Sequence, residues 1–227
     1  MIKALRAFRR APDMDREEFL RRWDAHAELV LAVPGIRGYM QCPRAGRDEQ
    51  STASFDGFSA MWFDDEAAVA RAAESPEART ARADSSTFIS EEGVESVLTV
   101  ERILRDVTMG PEAVKLVFFF HRRIGLSPEV FRRHWYEVHG PLVMEYIGTL
   151  RRYIQNHAVE SAYANGSLPD FDGLVEAYLD DLPTFDETEE SPEHDLVRSD
   201  EPNFIDVNRV KHMVASDRVY LMPPGED

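Results

Sequence analysis

Cys42 is the only cysteine in 227 residues, so no disulfide can form within the chain and no cysteine-based zinc or iron–sulfur site can be built. A reducing, cytoplasmic setting is the expectation that follows. Long apolar runs are missing too. The longest, Leu116 to Phe120, is far short of a membrane span, and basic residues scattered from Met1 to Arg10 interrupt what a signal peptide would need. Positive charge is scarce: 26 bases stand against 42 acids, for a formal net charge of −16, and acids outnumber bases on both sides of Gly110. Such a chain repels nucleic-acid phosphates and anionic lipid, so neither nucleic acid nor membrane is expected as a partner. There is no H-E-x-x-H pair and no glycine-rich phosphate loop, and His121, His134, His139, His157, His194 and His212 lack metal-ligand spacing. The expectation is a site with no metal and no cofactor; a haem needs only one histidine, and spacing leaves that open.

What is present is a repeat. Arg9-Arg10 returns as Arg122-Arg123, and Phe19-x-x-x-Trp23 as Phe131-x-x-x-Trp135, 112 to 113 positions later. Tyr39-Met40-Gln41 returns as Tyr153-Ile154-Gln155. Phe55-Asp56-Gly57, Ser75-Pro76-Glu77 and Phe88-Ile89 recur as Phe171-Asp172-Gly173, Ser191-Pro192-Glu193 and Phe204-Ile205, now 116 positions on. Loop insertions produce such a slow drift, whereas chance matches would not keep order.

Each copy reads β-α-β-β-α-β. In the first, strands are expected at Ile2 to Arg10, Ile36 to Cys42, Gly57 to Phe63 and Val94 to Leu104, with helices at Asp15 to Leu31 and Asp65 to Ser85. Asp15 with Glu18 resembles a capping box. In the second, the aromatic run Val114 to Arg122 suits a buried strand, and Ser127-Pro128-Glu129 starts a helix with an apolar stripe at Phe131, Trp135, Val138, Leu142 and Tyr146. Strands follow at Leu150 to Ala158 and Gly173 to Leu179, then an acid-rich helix at Thr184 to Ser199 and a last strand or two within Val207 to Leu221. Hydrophobic residues, 43% of the chain, are enough to give each copy a core. The expected organisation is α+β: a ferredoxin-like repeat over 1–105, a linker over 106–113, a second repeat over 114–222 and a tail over 223–227.

The second copy carries a family resemblance. Phe120-His121-Arg122-Arg123-Ile124-Gly125-Leu126-Ser127 with Phe131-Arg132-Arg133-His134-Trp135-Tyr136-Glu137-Val138-His139-Gly140-Pro141-Leu142 resembles the opening motif of the EthD-domain family. Leu150 to His157 and Phe171 to Tyr178 resemble its second and third blocks, and the first copy is similar more weakly. The resemblance implies a dimeric α+β barrel, formed here within one chain by the fused repeats. It also implies a superfamily that includes cofactor-independent monooxygenases, polyketide cyclases, a muconolactone isomerase and haem enzymes, so fold alone does not settle chemistry.

His139 follows Trp135 by four residues and shares its helix face, with Gly140-Pro141 interrupting regular packing beyond it; an imidazole against an apolar wall is the usual general acid or base. The resemblance puts the family's pocket histidine there. The plain alternative is a histidine that ties helix to loop. Tyr153, Gln155 and His157 alternate onto one strand face, and Glu176 falls mid-strand among apolar neighbours, where the resemblance supports an acid or orienting role. A strand face turned to solvent would satisfy all four without any function. Expected catalytic residues are His139, His157, Tyr153 and Glu176, with Trp135, Gln155, Asn156 and His26 binding substrate. Asp56-Gly57 and Asp172-Gly173 read as turns in which glycine permits positive φ, and the arginine pairs as partners for abundant acids. In the first copy His26 follows Trp23 by three rather than four, which on a regular helix turns the ring by about 100°. That copy therefore reads as eroded. The expected activity is a cofactor-independent acid/base reaction (lyase, dehydratase, cyclase or isomerase) on a small apolar aromatic, polyketide-like or lactone substrate. The alternatives are a cofactor-free monooxygenase of a phenol and a non-catalytic ligand-binding protein. Fusion removes the usual need for a dimer, although a homo-oligomer stays open.

Overall fold

The computed structural model describes residues 1–45 and 55–224, and it divides into two compact units. The first holds residues 1–44, 55–99 and 216–224, the second residues 45 and 100–215. The first runs β1 (Ile2–Phe8), α1 (Arg16–Leu31), β2 (Gly38–Pro43), β3 (Gly57–Phe63), α2 (Glu66–Ala73), α3 (Pro76–Ser85) and the opening of β4 (Glu95–Asp106). The second contains the rest of β4, then β5 (Val114–Phe120), α4 (Pro128–His134), a π turn over Trp135–His139, α5 (Gly140–Tyr146), β6 (Arg152–Ala158), β7 (Gly173–Leu179), α6 (Leu182–Glu189), α7 (Pro192–Asp200) and β8 (Lys211–Ala215). The last strand, β9 (Arg218–Leu221), falls within the first unit, where it lies antiparallel to β2. Compact units and sequence repeats thus divide the chain at different places.

Within each unit the strands pair antiparallel, with β1 between β3 and β4 in the first and β5 between β7 and β8 in the second. The element order is the ferredoxin-like one. Each second helix is broken into two where one was expected, because Ser75-Pro76 and Ser191-Pro192 restart it. Each serine caps a new helix by accepting from the backbone N–H three residues on, and each proline occupies a first-turn position where its missing N–H costs nothing. Asp15 does cap α1 through Glu18 N, but the Glu18 carboxylate turns to Arg21 and Arg22 and leaves the box half made.

The two cores repeat the same aromatic contacts around their tryptophans. Phe8 meets Trp23 edge-on at 5.0 Å and 75°, and Phe120 meets Trp135 at 4.9 Å and 77°. Phe19 and Phe131 tilt against the same indoles at 5.3 and 5.6 Å. Here the two Asp-Gly pairs find their purpose. Neither Gly57 nor Gly173 has positive φ; instead a Cβ would come within 2.7 Å of the Trp23 ring or 2.6 Å of the Trp135 ring. The preceding aspartates bind the arginines, Asp56 pairing with Arg10 at 2.5 Å and Asp172 pairing with Arg122.

Candidate functional site

A cavity of about 390 Å³ lies in the second unit among Phe118, Phe120, Trp135, Tyr153, Val175 and Phe204, with His139 in its wall. His139 Nδ1 is 3.1 Å from Asp200 Oδ2, at the end of α7, and its ring packs on Phe204 at 4.6 Å. Burial works against the Asp200 carboxylate, yet hydrogen bonds from Asn203, His134 and His139 hold it below its ordinary value. It is therefore ionised at neutral pH and can only accept. Burial is also the largest influence on His139, outweighing Asp200 and lowering its pKa to about 4. A neutral imidazole beside a carboxylate carries its proton on Nδ1, which leaves the Nε2 lone pair without a partner among the described residues. Tyr153 shares the cavity wall, and burial pushes its phenol up to about 12, so it stays protonated.

The helix is adjusted to hold this ring. Gly140 N–H donates to Trp135 O five residues back, a wide turn that absorbs one extra residue, and the same carbonyl accepts from Gln155 Nε2 at 3.0 Å. A Cβ at Gly140 would meet Leu104 Cδ2 at 2.5 Å and Gln155 Nε2 at 3.1 Å, so a side chain here requires Leu104 to shift.

That π turn corrects the expectation for the first copy. Trp23 to His26 is three residues on a regular helix, and Trp135 to His139 is four through a wide turn, yet both rings reach the same place. His26 Nδ1 is 2.7 Å from Asp84 Oδ2, its ring packs on Phe88 at 5.2 Å, and Gln41 Nε2 donates to Trp23 O at 2.6 Å. His26 lies in the wall of a cavity of about 340 Å³ in the first unit. Burial again lowers its pKa. The first copy is not eroded; it has its own histidine–aspartate pair.

Other expected site residues are not brought to the cavity. Gln155 is outside the cavity wall: its Nε2 faces a carbonyl that can only accept, and its Oε1 then faces His157 Nε2 at 3.0 Å. His157 thus carries its proton on Nε2 and tilts against Trp135 at 4.2 Å, outside the cavity wall; burial, with Arg102 and Arg132, lowers its pKa to about 3. Glu176 and Asn156 occupy the opposite sheet face. Strand alternation turns Val175 and Ala177 toward the cavity and Glu176 away, where it pairs with buried Lys115 at 2.5 Å and accepts from Asn156 Nδ2 at 3.0 Å. Of the quartet expected to be catalytic, His139 and Tyr153 line this cavity, and of the expected binding residues Trp135 lines it and His26 lines the other.

A family model described as the EthD domain matches residues 11–92 and again 123–208. The chain belongs to the EthD family. No curated protein matches the sequence. Among solved structures, an anthrone oxidase-like protein is similar over 99% of this chain and 96% of its own, with 8% identity and a TM-score of 0.68. A protein titled "putative monooxygenase" from Lactobacillus acidophilus NCFM covers 98% and 96% at 9% identity and a TM-score of 0.58. A mutant chlorite dismutase from Candidatus Nitrospira defluvii covers 95% and 91% at 11% identity and a TM-score of 0.50. At such identities the likeness establishes the tandem fold and carries no residue's role.

Within both EthD domains the residues that sequence reasoning missed are the aspartates. Asp84 and Asp200 stand 116 positions apart, the offset of the Ser-Pro-Glu and Phe-Ile matches around them, so extending the repeat would have found them. His134, which also binds Asp200 at 3.0 Å, has no counterpart; its matching position is Arg22. Among the described residues no group of three or more His, Cys, Asp or Glu is placed to hold a metal ion, and no helix is long and apolar enough to cross a membrane.

Proposed function

We propose that the second EthD domain is an acid/base catalyst that removes a proton from a small, largely apolar substrate, with His139 Nε2 as the base. The supporting observation is the ionised Asp200 behind His139 Nδ1, which fixes the tautomer and would stabilise the imidazolium once the ring takes the proton. Burial keeps the ring unprotonated while the cavity is empty. A substrate anion forming beside it would raise its affinity for the proton. Tyr153, held as the phenol, could hydrogen-bond the developing oxyanion. Trp135, Phe118 and Phe204 suit an aromatic or polyketide-like body.

A second reading, a monooxygenase, is favoured by the same-fold proteins titled monooxygenase and anthrone oxidase-like. It shares the first step: His139 takes a proton, the substrate anion reacts with O₂, and a CH₂ group becomes C=O with release of one water. Anthrone in D₂O separates the two. Under argon, the acid/base reading predicts protein-catalysed exchange of the ring CH₂ hydrogens that drops about a hundredfold or more in His139→Ala. Exchange at the uncatalysed rate in wild-type protein would sink this reading. In air, oxygen uptake with formation of anthraquinone would select the oxygenase, and exchange without uptake would exclude it for this substrate.

A further inference from the structure

The two cavities repeat the histidine–aspartate pair but not the charge around it. In register, Arg6 of β1 faces Ser59 of β3 where Phe118 of β5 faces Val175 of β7, so a guanidinium and a hydroxyl occupy positions that are apolar in the second unit. Arg6 and Ser59 line the first cavity with His26 and Arg82, and no carboxylate is in that lining. The second cavity has Glu189 and Glu201 in its wall beside a single arginine, Arg198.

In a chain this acidic, a guanidinium normally finds a carboxylate. Arg10 and Arg44 pair with Asp56, Arg37 with Asp64, and Arg22 with Glu18. Arg6 does not: among the described residues its polar contact is Ser85 Oγ at 3.4 Å, and Glu91 acts on it only through space. Arg82 is anchored by donating to Ala73 O at 2.8 Å. A partly buried cation with no carboxylate in contact, set in a mostly apolar cavity, is a receptor for an anion with an apolar body.

We propose that the cavity of the first unit binds a small organic carboxylate, its charged group on Arg6 and its apolar body against Phe8, Met61 and Phe63. The two EthD domains of the chain then serve ligands of different charge. This does not require His139 to be catalytic.

The test is titration of the full chain with sodium benzoate, its neutral isostere benzamide, and inorganic phosphate, followed by backbone amide shifts. Benzoate should bind with shifts clustered at Arg6, His26, Ser59 and Ser85, and benzamide should bind at least tenfold more weakly. Arg6→Gln should cost benzoate roughly ten- to a hundredfold in affinity, and Arg6→Lys should retain most of it. Should Arg6→Gln fail to fold, the wild-type comparison of benzoate with benzamide decides alone. Equal binding of benzoate and benzamide, shifts confined to the second unit, or phosphate binding as well as benzoate would each overturn the proposal.

Discussion

The histidines of the two repeats sit at different distances along the sequence from the same tryptophan, three residues in one copy and four in the other. The sheets, the aromatic cores and the histidine–aspartate pairs nevertheless coincide, because a π turn over Trp135–His139 takes up the added residue. What differs lies around the rings. The first cavity has two arginines and no acid, and the second has Glu189 and Glu201 with one arginine, Arg198. Across the sheet, the second unit buries Lys115, Glu176 and Asn156 where the first has Lys3, Ala60 and Cys42. The geometry of the base is thus what the repeats share, and charge is where they diverge.

The largest expected effect tests the shared part. His139→Ala should lower proton-transfer activity on a neutral apolar substrate by about 10²–10⁴, with His26→Ala changing it little; equal losses would mean that the two cavities are not separately specialised. Next comes the divergent sheet face. Lys115→Met should cost about 3–5 kcal/mol in denaturant unfolding, because it leaves the Glu176 carboxylate buried without that cation. Gly57→Ala and Gly173→Ala should each cost about 1–3 kcal/mol, since both press a methyl into an indole. A cost at only one of the two would show that the tryptophan contacts are unequal.

The remaining effect is in pH. Histidine in the unfolded chain titrates near 6.5, and folded His139 near 4. Between those values the unfolded state holds more protons, so stability falls as pH drops from about 6.5 toward 4 and is regained on raising it. His157, lowered to about 3, adds in the same direction. His139→Gln should flatten, without abolishing, the loss of unfolding free energy across that window. An unchanged slope would contradict the buried, neutral ring.

Much of this was legible in the sequence. Periodic apolar residues and ordered repeat matches placed β1, β3, β5, β7 and α1 within a residue or two. His139 and Tyr153 could be chosen because helix and strand periodicity puts each on a core-facing side. Three things were not legible. A π turn leaves no composition signal beyond Gly140-Pro141, so counting at 100° per residue misplaced His26. The side of the sheet that Glu176 faces depends on register, and one step of alternation separates a cavity residue from one on the far face. The glycines at 57 and 173 looked like turn residues, and only packing against tryptophan reveals a steric reason. The aspartates needed no structure, only a longer alignment of the chain with itself.

The account rests on one proton. Long-range ¹H–¹⁵N correlation of the histidine rings at pH 7 should find His139 and His26 both neutral, with the proton on Nδ1 and Nε2 bare, and should find His157 protonated on Nε2 instead. An imidazolium at His139, or a proton on its Nε2, would leave no base facing the cavity and would contradict the proposed function.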